Sequence, residues 1–236
     1  MRFDPRARAA HDGPVTAVDS HRQALRAGSS WLVLALGPLL AAHSVPALLG
    51  ALLDQPPEWL LQTSALLGVV GSVAMLLALA QFALARVGGR RHPALMLALA
   101  AWAAELGARV APLSTAAAQV EVWSGVQLIA SSCAMWFAAT GVMWILRAQQ
   151  AAGVLPPWKR VRIGFTVLTL STASVLISAR MQGPEGRIVD GLASIPYGGA
   201  LAWLVFATPW ALLVLATRAS VRWLGRVRST AEILAR

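Results

Sequence analysis

The chain has 236 residues, of which 57% are hydrophobic and only 13% charged. A soluble domain normally carries about a quarter charged residues, so this composition excludes an ordinary soluble fold and makes lipid the expected solvent. A net charge of +10 would suit nucleic acid if it lay on one face, but the basic residues fall in particular loops, which points to membrane topology and not to a nucleic-acid partner.

The first thirty residues carry Arg2, Arg6, Arg8, Arg22 and Arg26 together with Asp4, Asp12 and Asp19. This stretch is too long and too acidic for a signal-peptide n-region, and the first apolar helix is expected to be retained. Residues 1–30 read as a basic cytoplasmic tail, broken by Gly13-Pro14 and mobile.

A hydrocarbon core about 30 Å thick needs about 20 residues of helix. Six stretches qualify: Trp31–Leu52, Ser64–Ala85, Ala94–Pro112, Val122–Leu146, Ile163–Ala179 and Ile195–Thr217. The fold expected is therefore all-α, a polytopic membrane bundle of six transmembrane helices over residues 31–217. In the first helix, Pro38, after Gly37, and Pro46 remove backbone donors, and a kink or a short unwound stretch is expected half-way across, its freed carbonyls met by neighbouring helices, the commoner case, or exposed to a ligand. The second places Ser64, Gly68 and Ser72 at spacing four, a stripe that lets another helix approach closely.

The third is an apolar run with an acid and a base inside it, Glu105 and Arg109. The fourth carries Ser124, Gln127 and Ser131 on one face, and the fifth Ser171, Ser174 and Ser178 with Thr166, Thr169 and Thr172 close by. These hydroxyls can bond back to their own helix and are weak evidence for a polar path. The sixth has Pro209 mid-span. Beyond it, residues 218–236 read as an amphipathic cytoplasmic helix with Arg218, Arg222 and Arg226 on one face, suited to anionic lipid headgroups or to an acidic cytoplasmic partner.

The loops alternate in charge. Seventeen basic residues fall on the side that holds both termini and two, Arg180 and Arg187, on the other. By the positive-inside rule both termini are cytoplasmic. Trp31, Trp59, Trp123, Trp144, Trp158 and Trp223 fall near helix ends, as interfacial belts do, whereas Trp102, Trp136, Trp203 and Trp210 lie deeper. Nineteen arginines to one lysine in an Ala- and Leu-rich chain read as GC-rich bacterial coding, which makes a bacterial inner membrane the expected location.

No HExxH, Walker A, GxSxG or dinucleotide fingerprint occurs. Cys133 is the single cysteine and His43 the one histidine inside an apolar run, too few ligands for haem, zinc or an iron–sulfur cluster. No cofactor or metal is expected. The candidate site is argued from depth: His43 and Glu105 each lie about twelve residues from a cytoplasmic helix start, roughly 18 Å at 1.5 Å per residue. Arg109 stands one turn beyond Glu105 on the same face, and Gln127 enters the fourth helix near that level. These four residues are expected to converge in the outer half of the bundle.

Charge inside a bilayer is costly, on the order of 2.5–3.5 kcal/mol per residue on insertion scales, so such residues mark solute or proton pathways or settle a helix among its neighbours. Three functions compete. The first is a transporter, or a membrane subunit of a transport complex, for a small polar or charged solute. The second is a non-catalytic regulator or assembly subunit, anti-sigma-like or accessory, whose basic tails hold a cytoplasmic protein. The last is a lipid- or isoprenoid-modifying enzyme, which the scarcity of acids and histidines disfavours.

Overall fold

The structure, a computed structural model, describes residues 13–52, 57–86, 90–110, 120–182 and 198–234, with side chains described for 21–42, 57–60, 62–86, 90–110, 126–174, 177 and 204–227. It is all-helical. The long helices are α1 (Gly13–Leu52), α2 (Glu58–Leu84), α3 (Pro93–Val110), α4 (Val120–Ala148), α5 (Leu155–Gln182) and α6 (Gly198–Leu234), with a short 3-10 turn at Ala152–Val154 before α5.

Proline marks several of the helix starts. Pro14, Pro93, Pro156 and Pro157 stand in the first turns of α1, α3 and α5, where the missing N–H has no intrahelical partner to lose. At α3 the His92 ring completes the cap, its Nδ1 accepting the Ala94 backbone N–H at 3.2 Å. α4 ends at Ala148; Gln150, with a φ of 54°, then turns the chain, while the Ala151 N–H bonds back to the Leu146 carbonyl.

Each helix packs on the next in sequence, and α6 closes back on α1, so the six form a ring. Leu25, Leu32, Leu36 and Leu39 form the inward face of α1; Met75, Leu79 and Phe82 that of α2; Trp158, Val161, Phe165 and Leu168 that of α5. These spacings of three and four are the helical period. On the outside, Leu66, Val70, Val73 and Leu77 of α2 and Ile163, Val167 and Leu170 of α5 are exposed apolar side chains.

Five helical segments are long and apolar enough to cross a membrane: His21–Ala42, Glu58–Leu84, Pro93–Val110, Val126–Ala148 and Leu204–Val227. α5 does not reach that hydropathy among its described residues. Its first turns hold Lys159, Arg160 and Arg162 and its middle is rich in hydroxyls. Thr166, Thr169 and Thr172 each donate to the carbonyl four residues earlier, at 2.9, 2.8 and 2.8 Å, so those three are satisfied within the helix.

Two features differ from the sequence reading. α1 begins at Gly13, so residues 13–30 continue the first helix, and α6 runs unbroken through the expected boundary at Thr217. Of the two readings of the prolines in α1, the one without an unwound stretch holds: Pro38 and Pro46 lie within continuous helix. The reason lies in a neighbour. Pro46 leaves the Ala42 carbonyl without its donor, and Ser64 of α2 supplies one, its Oγ standing 3.0 Å from that oxygen.

Candidate functional site

Glu105 is wholly buried, with no accessible surface, on the face of α3 that also holds the buried Trp102 and Ala108. Four residues on, Arg109 folds back over it. Arg109 Nη2 and Nε both donate to the same carboxylate oxygen, Oε1, at 2.7 and 3.0 Å. The other oxygen, Oε2, is buried and has no hydrogen-bond partner among the described residues. The pair is neutral as a unit, but Arg109 grips it through one oxygen, so half of the carboxylate's acceptor capacity is unused.

Room for the guanidinium comes from α2. Gly68 has no side chain, and a methyl group there would overlap Arg109 Nη1 and crowd the Ala42 side chain of α1. The small-residue stripe of α2 is thus more than a packing face. Ser64 caps the carbonyl that Pro46 frees, Gly68 receives the arginine, and the Ser72 carbonyl accepts the Trp102 indole N–H at 2.9 Å. Trp102 stands three residues before Glu105 on the same buried face of α3, so this contact sets Ser72 about one turn from the level of Glu105. Ser72 is fully buried, and its hydroxyl, like Glu105 Oε2, has no partner. Two buried polar atoms at this part of the α2–α3 contact, the Ser72 hydroxyl and Glu105 Oε2, are thus unused, and they do not bond each other. Such buried atoms carry a desolvation cost and call for an explanation.

The pair Glu105 and Arg109 is brought together as the spacing predicts. Gln127 is half-buried on α4. It stands fourteen residues, about four turns, before Gly141, which packs on Leu95 of α3. Arg109 stands fourteen residues after Leu95, so Gln127 and Arg109 lie at a similar depth along the bundle, and no hydrogen bond joins Gln127 to Arg109 or Glu105 among the described residues. His43 follows Ala42 on α1, which puts its backbone beside the Gly68 niche; its side chain lies outside the described residues. Ser72 and Gly68 were the residues that sequence reasoning left as packing. The available signals were Pro46, which frees a carbonyl, and a stripe at spacing four facing an arginine.

Below this level the centre of the ring is filled by aromatic rings. Trp102 of α3 and Trp210 of α6 meet edge-on at 6.4 Å between centroids, and Phe165 of α5 packs edge-on against Trp210 at 5.3 Å. Towards the other end, His21 joins three elements: its Nε2 bonds to the Arg86 carbonyl, and its Nδ1 lies 3.2 Å from the Gln149 side-chain amide at the end of α4. This residue was expected in a mobile tail; it is buried. Trp158, expected in an interfacial belt, is also buried and donates from Nε1 to Ser220 Oγ at 2.9 Å. Arg218, Arg222 and Arg226 are exposed along one face of α6. Among the described residues no group of three or more His, Cys, Asp or Glu side chains is placed to hold a metal ion. Compared with protein-family models, curated proteins and solved structures, the chain matches none.

Proposed function

We propose that this chain is a six-span protein of the bacterial inner membrane with both termini in the cytoplasm, acting as a transporter, or as the membrane subunit of a transport complex, for a small polar or charged solute. The observation that carries the reading is the state of Glu105: an acid with no exposed surface, held through one oxygen, with the second oxygen unused. Intramembrane ionisable groups of this kind line solute and proton paths, and a pair needed only for packing would satisfy its acceptors. α5 supplies the sixth span. Its exposed Ile163, Val167, Leu170 and Ile177 suit lipid on the outer side while Trp158, Phe165 and Leu168 pack inward.

The experiment is uptake into proteoliposomes from a set of small organic anions, amino acids and monovalent cations. At least one solute should enter faster than into protein-free vesicles, and Glu105→Gln should reduce that uptake at least tenfold. Uptake indistinguishable from protein-free vesicles across the set, or full uptake by the variant, refutes the reading.

A regulator or assembly subunit is the alternative, favoured by one feature: α6 continues as helix to Leu234 and presents Arg218, Arg222 and Arg226 on an exposed face. That face suits anionic lipid headgroups or an acidic cytoplasmic protein. Replacing the exposed Arg218, Arg222 and Arg226 by glutamine then abolishes function with the packed face of α6 intact, whereas a transporter retains its uptake.

A further inference from the structure

We propose that Glu105 is a proton-binding site at which a proton and the Arg109 guanidinium alternate, with the Ser72 hydroxyl receiving the protonated carboxyl. The inference deepens the transport reading by naming the proton as the coupling ion, and it rests on that reading only for the use made of the proton.

Three observations carry it. Arg109 occupies only Oε1 of Glu105, and Oε2 is free. Ser72 Oγ is unpartnered and fully buried, on the residue whose carbonyl takes the indole N–H of Trp102, about one turn from Glu105. The guanidinium sits where Gly68 alone leaves space, at the penultimate residue of α3, with 12% of its side-chain surface exposed. Arg109 therefore has a way out: its stem is long, its head is near a helix end, and it can reach towards the interface without moving α3.

The two occupants exclude each other. With Arg109 in the niche, Glu105 is an ionised partner and needs no proton. When Arg109 leaves, a bare carboxylate remains in a water-poor interior, the condition in which an acid takes up a proton instead of staying charged. One proton from water then binds Oε2, and the new O–H donates to Ser72 Oγ. Return of Arg109 releases that proton. In that state each atom is the other's partner, which requires Glu105 to turn once Arg109 has released Oε1, because the two do not bond as they stand.

Among the described side chains no other ionisable group stands at this level; Glu121, six residues before Gln127 on α4, lies outside them. α2 carries none between Gln62 and Leu84, α4 between Val126 and Leu146 carries only the Cys133 thiol, and α6 carries none from Leu204 to Thr217. α5 is likewise uncharged from Ile163 to Ile177. On α1, His43 is next to Ala42, with its side chain outside the described residues.

The test is infrared difference spectroscopy on the full chain in lipid nanodiscs. At pH 7, Arg109→Gln should show the carbonyl stretch of a protonated carboxylic acid that the Arg109→Gln/Glu105→Gln double variant lacks. Gly68→Ala should show the same band with Arg109 still present, because the added methyl displaces only the far end of a flexible side chain. This second variant serves if the first fails to fold. Adding Ser72→Ala should shift the band to higher frequency, as loss of a hydrogen-bond acceptor does. A carboxyl that stays ionised in both variants overturns the proposal, as does a band unmoved by Ser72→Ala. The band without any solute uptake leaves the proton site standing and removes the transport reading; uptake that needs Glu105 without the band does the reverse.

Discussion

At the scale of single residues, the argument turns on how many acceptors and donors each buried group has and how many it uses. Arg109 makes two bonds to one oxygen, so a lysine, with a point charge on a flexible stem, cannot reproduce the grip. Arg109→Lys should behave in stability more like Arg109→Gln than like the native chain. Glu105→Gln and Arg109→Gln should each lower unfolding stability in detergent, by up to about 3–5 kcal/mol for loss of one partner of a buried pair, and the double variant should cost less than the sum. Additive losses would mean that the two side chains do not act as a pair. Elsewhere, Ser220→Ala removes the acceptor of the buried Trp158 N–H and should cost about 1–3 kcal/mol, seen as a lower Tm, whereas Ser220→Thr should retain most of it.

At the scale of helices, α1 and α2 are joined by a repair. Pro46 takes away the donor for the Ala42 carbonyl and Ser64 returns one. Ser64→Ala alone should therefore destabilise by about 1–3 kcal/mol, the desolvation cost of an unsatisfied buried carbonyl. In a Pro46→Ala background, where the helix restores its own bond, the same change should cost only a few tenths as much. Equal losses in the two backgrounds would show that Ser64 matters for some other reason. The close packing of α1 on α2 has the same root in sequence: a methyl at Gly71 would meet the Leu39 backbone nitrogen and the Ala35 carbonyl of α1.

At the scale of the whole molecule, the ring is closed on itself by α6 against α1 and filled at its centre by Trp102, Trp210 and Phe165. Trp210→Ala should open a cavity and cost about 3–5 kcal/mol, the range for truncating a large buried aromatic. Orientation is tested by reporter fusions: after Gly88 and Ala151 they should report from the cytoplasm, and after Gln55, Ala116 and Gly191 from the outside. A cytoplasmic signal after Gly191 would mean that α5 does not cross, and the six-span topology would be lost.

The helices were legible in the sequence because apolar runs, prolines and basic loops act locally, each residue voting through its own transfer energy or backbone chemistry. That is why α2, α3 and α4 begin and end within a few residues of where hydropathy puts them, the start of α2 excepted, and why Glu105 and Arg109, one turn apart, could be paired on paper. The ends of α1 and α6 were less legible, since polar residues outside the hydrocarbon can continue a helix without changing hydropathy. Tertiary structure alone decided which carbonyl Ser64 caps, that Gly68 is the seat of Arg109, that the Ser72 carbonyl takes the Trp102 indole, and that His21 and Trp158 are buried. Those facts depend on the register between helices far apart in the chain, where one residue of slip would give Arg109 a different neighbour.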